Sequence, residues 1–422
     1  MNQAAGNRVS LPVTIAFAAS LGCASEPTDA PGIGETEPAT TSSSSATSSG
    51  AQGTETAPMS SGTSDASEGS GTTGDPEPGT DGSTGSDTEG EGSPPEGTVP
   101  AFVALGHMGR TMVSCDDGRT WVANQSLDED TRCFEPTDCD HHEGSATGIT
   151  FGDGVFVATW GWGADGQIQT SEDGVEWTTV LTGPTFAGSA WGDGVFLTAA
   201  KFPYRATGLA QRWNELPDSG LEEWTPRGIG FAPAGGGRFI LGGGGGASGD
   251  VVVTADGGDT WMPAVGADAC GASIRDIVGG QDSIVIATGG SASTATCVSQ
   301  DAGATFTTVD LPERLEALLW ASDEFVGFGP DARYTSDDGQ QWEATPYAKG
   351  TPRLTAIARS SDGTYVAQRD GWLVWYEDQA LFRSGDGVSW EELPSDAFVQ
   401  SHPIRHVAFG YVQPSATGCT LP

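Results

Sequence analysis

Residues Ala146–Val180 read ATGITFGDGVFVATWGWGADGQIQTSEDGVEWTTV, and the period of this stretch decides the fold. ATGITFG (Ala146–Gly152) alternates as a short half-buried strand, and Asp153-Gly154 turns the chain. VFVATW (Val155–Trp160) is the second strand and QIQT (Gln167–Thr170) the third. A turn phrase, TSEDGVEW (Thr170–Trp177), leads into EWTTV (Glu176–Val180) as the fourth. Four short antiparallel strands joined by Gly-rich turns predict one blade of a β-propeller.

The phrase recurs along the chain. It reads SCDDGRTW at Ser114–Trp121, TADGGDTW at Thr254–Trp261 and SQDAGATF at Ser299–Phe306. It returns as TSDDGQQW at Thr335–Trp342 and RSGDGVSW at Arg383–Trp390. Each part has a physical job. The carboxylates of Asp116, Asp256, Asp301 and Asp337 are placed to accept backbone N–H groups of their own turns. Gly118, Gly174, Gly258, Gly303, Gly339 and Gly387 supply the positive φ that such turns require. Trp121, Trp177, Trp213, Trp261, Phe306, Trp342 and Trp390 are expected to pack between blades.

An innermost strand can be traced independently of the phrase. It occurs at Gly148–Gly152, Gly188–Gly192, Gly228–Ala232, Ile274–Val278, Leu315–Leu319, Leu354–Ala358 and Ile404–Gly410. Seven inner strands against six phrases imply one decayed phrase. It lies at Thr207–Pro217 (TGLAQRWNELP), which keeps Trp213 and the Glu215-Leu216-Pro217 ending but not the Asp-Gly turn. The domain opens on a second strand, AFVAL at Ala101–Leu105, so Ile404–Gly410 is expected to complete the first blade. The fold class is then all-β: a single seven-bladed propeller of four-stranded blades over Val99–Pro422, with no free sheet edge at its seam.

The phrase Ser/Thr-x-Asp-x-Gly-x-x-Trp resembles the Asp-box (BNR) repeat of sialidases, xyloglucan-degrading hydrolases, sortilin-type receptors and photosystem assembly factors. The resemblance covers most of Val99–Pro422. It implies Asp-boxes in the peripheral turns between third and fourth strands, with any active site on the opposite face near the axis. It implies fold more than activity. A sialidase-like glycosidase would need an Arg-Ile-Pro segment, three arginines gripping a carboxylate, a Tyr nucleophile polarised by Glu, and an Asp acid. No Arg-Ile-Pro segment is present, Arg110 and Arg119 lack that context, and none of the six tyrosines has a recognisable partner motif. No catalytic residue is assigned. Three arginines converging near the axis, with Tyr and Glu in hydrogen-bond reach, would mark the enzyme.

Before the domain, Arg8 and the apolar run Leu11–Gly22 resemble a secretory signal too short to span a bilayer. The segment ending Ser20-Leu21-Gly22-Cys23 resembles a bacterial lipoprotein signal, which makes Cys23 the expected lipidation site. Ala24–Thr98 holds 14 acidic residues and no Lys or Arg, with almost no large apolar residue. It is expected to be a disordered, self-repelling tether. The membrane is thus met through the lipid anchor alone, and the protein is expected to be a monomer at the outer membrane or cell surface, or secreted if Cys23 is not lipidated. The net charge of −39 extends into the domain and argues against nucleic acid as partner.

Six further cysteines behind an export signal suggest disulfides. Cys270 pairs with Cys297 within one blade, Cys115 with Cys419 across the seam, and Cys133 with Cys139 inside the insertion CFEPTDCDHHE (Cys133–Glu143). Zinc at that insertion, with His141 and His142, is the alternative, but the spacing fits no standard zinc module. No metal or cofactor is therefore assigned. The Gly run at Gly235–Gly249 lacks the following helix that a phosphate loop needs. On the face shared by the blade-to-blade crossovers, Trp160, Trp162, Tyr204, Arg205, Trp372, Trp375 and Tyr376 are the candidate ligand-binding residues, with Phe202, Arg333 and His107 in matching loops. Rings beside Arg suit an extracellular glycan or a protein segment.

Overall fold

A computed structural model describes residues 95–420 except 108, 124–144, 163–165, 184, 218, 221–225, 235, 245–248, 272–273, 290–294, 370–379, 399–403 and 416–417. These residues form seven four-stranded antiparallel sheets, one per blade. In six blades the strands follow chain order from the inside outward. The first blade takes its inner strand from the far end of the chain: Ile404–Val412 pairs with Val99–Gly106, with Phe102 opposite Phe409. The other inner strands are Ser145–Gly152, Ser189–Gly192, Pro226–Ala232, Ile274–Gly279, Ala317–Ala321 and Leu354–Arg359. The blade without a regular phrase is the third, whose short outer strands Tyr204–Thr207 and Asn214–Glu215 flank the decayed turn. Among the described residues the one helical element is the 3-10 turn Ala267–Cys270.

The core is a ring of seven apolar clusters, each filling the gap between two neighbouring blades. Every cluster includes one aromatic of the turn series: Trp121, Phe306, Trp177, Trp342, Trp261, Trp390 and Trp213. Trp390 of the seventh blade, for example, meets Phe328 of the sixth edge-on, with ring centroids 6.1 Å apart. Four of the indoles also donate Nε1–H to the carbonyl of their turn glycine, at 3.0–3.3 Å. One side chain thus fixes the turn and fills the gap between sheets.

The seam between first and seventh blades is tied in several ways. Cys115 and Cys419, 304 residues apart in sequence, are joined by a disulfide. Arg383 of the seventh blade forms an ion pair with Asp117 and donates from Nε to its carbonyl at 2.7 Å. Asp117 also accepts from Ser360 Oγ at 2.9 Å and Thr364 Oγ1 at 2.7 Å. A second disulfide links Cys270, in the 3-10 turn, to Cys297 on the fifth blade's third strand. The Cys133–Cys139 pairing lies outside the described residues.

Candidate functional site

The phrase residues are fully occupied by their own turns. In the first, fourth and fifth blades the carboxylate stands two residues before the glycine. Asp116 accepts from Thr120 N at 2.9 Å and Thr120 Oγ1 at 2.7 Å, and Asp256 and Asp301 repeat this pattern. In the second, sixth and seventh blades it stands directly before the glycine and accepts from the next two N–H groups. There the acceptors are Asp173, Asp338 and Asp386. The expectation for Asp337 is therefore corrected to Asp338: the shorter turn brings the following residue's carboxylate over the two free N–H groups. A Ser or Thr hydroxyl completes each turn, accepting from the glycine N–H and donating to the Asp, as Ser336 does with Gly339 and Asp338. At Asp256 the Thr260 hydroxyl outweighs a burial penalty and, with further donors, brings the carboxyl down to about 2. At Asp386 burial opposes ionisation, but the Ser389 and Val388 N–H groups still hold it at about 2.

The aromatic candidates fare differently. Trp160 is completely buried in the cluster between first and second blades. It is a core residue and not a ligand platform, because its place on a central strand turns the ring into the gap between sheets. Tyr204 is half-buried and donates to Glu215 Oε2 at 2.9 Å. Arg205 reaches the fourth blade's turn, donating to the Gly257 carbonyl at 3.2 Å and pairing with Asp259 at 3.0 Å. It clamps two blades together. Trp162 ends the strand Val155–Trp162. Trp372, Trp375 and Tyr376, and the insertion Cys133–Glu143, lie outside the described residues. Among the described residues no three His, Cys, Asp or Glu side chains form a group that could hold a metal.

The residues that do converge are arginines that the reading of the sequence missed. Five inner strands have a one-residue bulge, and in three of them it falls on the strand's second residue, which is Arg. Arg227 is skipped between Pro226 and Gly228, Arg275 between Ile274 and Asp276, and Arg405 between Ile404 and His406. The other two bulges lie at Thr147 and between Thr355 and Ala358. A bulge re-aims its side chain and leaves its backbone groups outside the ladder. Here it does so at the axial mouth of the crossover face. Gly228 permits the arrangement: a Cβ there would overlap the Arg275 carbonyl.

Two more arginines join from the sixth and seventh blades. Arg314 grips Glu316 with one nitrogen at 2.6 and 2.7 Å from its two oxygens, and Arg353 reaches the same carboxylate at 2.6 Å. Below them, burial pushes the Asp276 carboxyl up to about 6, against the pull of Arg275. Burial, then the charges of Arg227 and Arg314, lower the Arg275 pKa, with Asp276 opposing. Burial and the Arg405 charge bring His406 down to about 4, so it is neutral at pH 7. The Arg275 charge also lowers the His406 pKa, although Arg275 is on the fifth blade and His406 on the first. Among the described residues, five arginines stand here with Asp276 and Glu316, in a chain of net charge −39.

The arrangement lacks the rest of a sialidase-type centre among the described residues. The tyrosines bonded to carboxylates are Tyr204, with Glu215, and Tyr334, with Glu313 at 3.0 Å. Both are on third strands, away from the axis. A sequence signal for the arginines existed. Pro226-Arg227-Gly228-Ile229, Ile274-Arg275-Asp276-Ile277 and Ile404-Arg405-His406-Val407 place Arg at one offset in three aligned inner strands.

No protein-family model matches the chain, and no curated protein sequence does. Among solved structures it is similar to YCF48 from Cyanidioschyzon merolae, at 14% identity and a TM-score of 0.44 over 61% of this chain and 87% of that one. It is similar to virginiamycin B lyase from Staphylococcus aureus at 16% identity and a TM-score of 0.44, over 61% and 86%. A chain of a nidogen/laminin complex aligns at 11% identity and a TM-score of 0.41, over 74% and 98%. The class the chain's own strand order defines is a closed seven-bladed propeller.

Proposed function

We propose that this protein is a non-catalytic binding propeller of the Asp-box kind, displayed outside the cell on a lipid-anchored acidic tether, which captures an anionic ligand at its axial mouth. The observation that carries the reading is the bulge trio Arg227, Arg275 and Arg405, three cations at equivalent positions around the axis. Guanidinium groups form short bidentate bonds with carboxylates, and a low-dielectric rim strengthens them. The Asp turns supply no competing site, since their carboxylates are spent on backbone donors.

Titration of the purified protein with polyglutamate and polylysine tests this. Polyglutamate should bind and polylysine should not. The double variant Arg275→Ala/Arg405→Ala should lose at least about tenfold in affinity, as removal of two charge-assisted contacts implies. Equal affinity for the double variant would place the ligand elsewhere. Anchoring is tested separately: labelled palmitate should enter the wild type and not Cys23→Ala.

A second reading, a divergent glycosidase acting on extracellular glycans, draws its support from the same arginines, since a carboxylate-gripping trio is what such an enzyme needs. A fluorogenic sialoside separates the two. The binding reading expects no turnover above solvent, and turnover abolished by Arg275→Ala would favour the enzyme.

A further inference from the structure

The third blade keeps the shape of the repeated turn and changes its surface. Aligned on Trp213 and Trp390, Leu209 stands where the seventh blade has the turn carboxylate Asp386, and Ala210 where it has Gly387. Ala210 holds φ at 52°, close to the 67° of Gly387, although a side chain there is disfavoured. Its N–H donates to the Thr207 carbonyl at 3.2 Å. The turn thus persists without its carboxylate, and in that place is a leucine 43% exposed.

Two cavities open on either side of this turn and share Gln211 as a wall. One, of about 330 Å³, is lined by Leu209, Arg205 and Arg212. Arg205 is committed to Asp259, while Arg212 is exposed and carries the charge of this cavity. The other, of about 320 Å³, is lined by Glu172, Asp173 and Glu176 of the second blade's turn. Asp173 is spent on the Val175 and Glu176 N–H groups, so the exposed Glu172 and Glu176 carry the charge on that side. Gln211 is fixed between the two, donating from Nε2 to Thr170 Oγ1 at 3.1 Å and to the Leu209 carbonyl at 3.2 Å. Neighbouring halves of one groove therefore have opposite sign.

We propose that this groove docks an extended segment of a partner protein that carries an acidic side chain and, two residues along, a basic one. The acid meets Arg212 and the base meets Glu172 and Glu176. Cavities of about 330 and 320 Å³ are each about 7 Å across, which matches the roughly 6.6 Å between alternate residues on one face of an extended chain. Leu209 is covered as the segment settles, so apolar burial adds to the two ion pairs. An acidic glycan would satisfy only the Arg212 half and would be repelled by the other. The groove lies among the turns between third and fourth strands, away from the axial arginines, and does not rest on what the mouth binds.

Fluorescence anisotropy of the whole protein with two labelled peptides, Ser-Glu-Ser-Lys-Ser and Ser-Lys-Ser-Lys-Ser, tests this at fixed ionic strength. The wild type should bind the mixed peptide. Arg212→Glu should move the ratio of the two affinities about tenfold towards the all-basic peptide, because one contact changes from attraction to repulsion for the first and the reverse for the second. Glu172→Lys/Glu176→Lys should weaken the mixed peptide severalfold. All three side chains are exposed, so unchanged melting is expected of both variants, and Arg212→Gln should give about half the shift on a logarithmic scale. An unaltered affinity ratio in Arg212→Glu, an unaltered affinity in Glu172→Lys/Glu176→Lys, or no binding of the mixed peptide by the wild type overturns the proposal. Displacement of the mixed peptide by phosphatidylcholine vesicles, whose headgroups also carry both signs, overturns the choice of a protein partner.

Discussion

Replacing both Cys115 and Cys419 with Ser opens the covalent seam and leaves no stray thiol. The bridge spans 304 residues, so its removal frees a very long loop in the unfolded chain. Loop-closure entropy grows only with the logarithm of loop length, giving about 4.7 kcal/mol for a 100-residue loop and about 5.7 kcal/mol here. The strand pairing of Val99–Gly106 with Ile404–Val412 remains, as does the Arg383–Asp117 tie, so the propeller still closes. In a domain of this size about 5.7 kcal/mol corresponds to a fall of roughly 8 °C in Tm. Thermal melting by circular dichroism reads it directly. Cys270→Ser/Cys297→Ser is the internal comparison: its 27-residue span predicts about 3.5 kcal/mol. Equal melting of the seam variant and wild type would refute the claim that this bridge locks the ring.

Phe306→Ala should cost about 3–5 kcal/mol, because the ring is buried in the gap between fourth and fifth blades, and denaturant titration would show it. Gly228→Ala should both destabilise the ring and weaken polyglutamate binding, since its Cβ would displace the Arg275 backbone. In acid the sign is set by lowered carboxyl pKa values. Asp256 and Asp386, at about 2 in the fold, contribute stability above pH 4 that is lost as pH falls from about 4 towards 2. Asp256→Asn/Asp386→Asn should melt at a lower temperature at pH 7 and lose less on acidification. An unaltered acid profile would count against the turn carboxylates as the groups responsible.

Fold and site differed in how far they could be read. Blade count followed from local features that recur in sequence: an alternating strand, a Gly turn and an aromatic at fixed spacing. Even the third blade was visible, because Trp213 fills a gap between sheets whatever its turn does. The turn carboxylates were read less well. Asp337 and Asp338 are adjacent, and only the length of the turn decides which one covers the free N–H groups. Trp160 looked like a ligand platform because its loop was judged by position, while the strand actually continues and buries it. The arginine mouth was missed for another reason. A bulge is a register event between two strands, and nothing in Ile274-Arg275-Asp276 alone reveals that Arg275 has no partner opposite.

The central claim is the place of binding, and hydrogen–deuterium exchange with and without saturating hexaglutamate tests it most directly. The account predicts slowed exchange in the segments around Arg227, Arg275 and Arg405, on three separate blades, with the turns at Thr254–Trp261 and Arg383–Trp390 unchanged. Protection confined to those turns, or to a single blade, would contradict it.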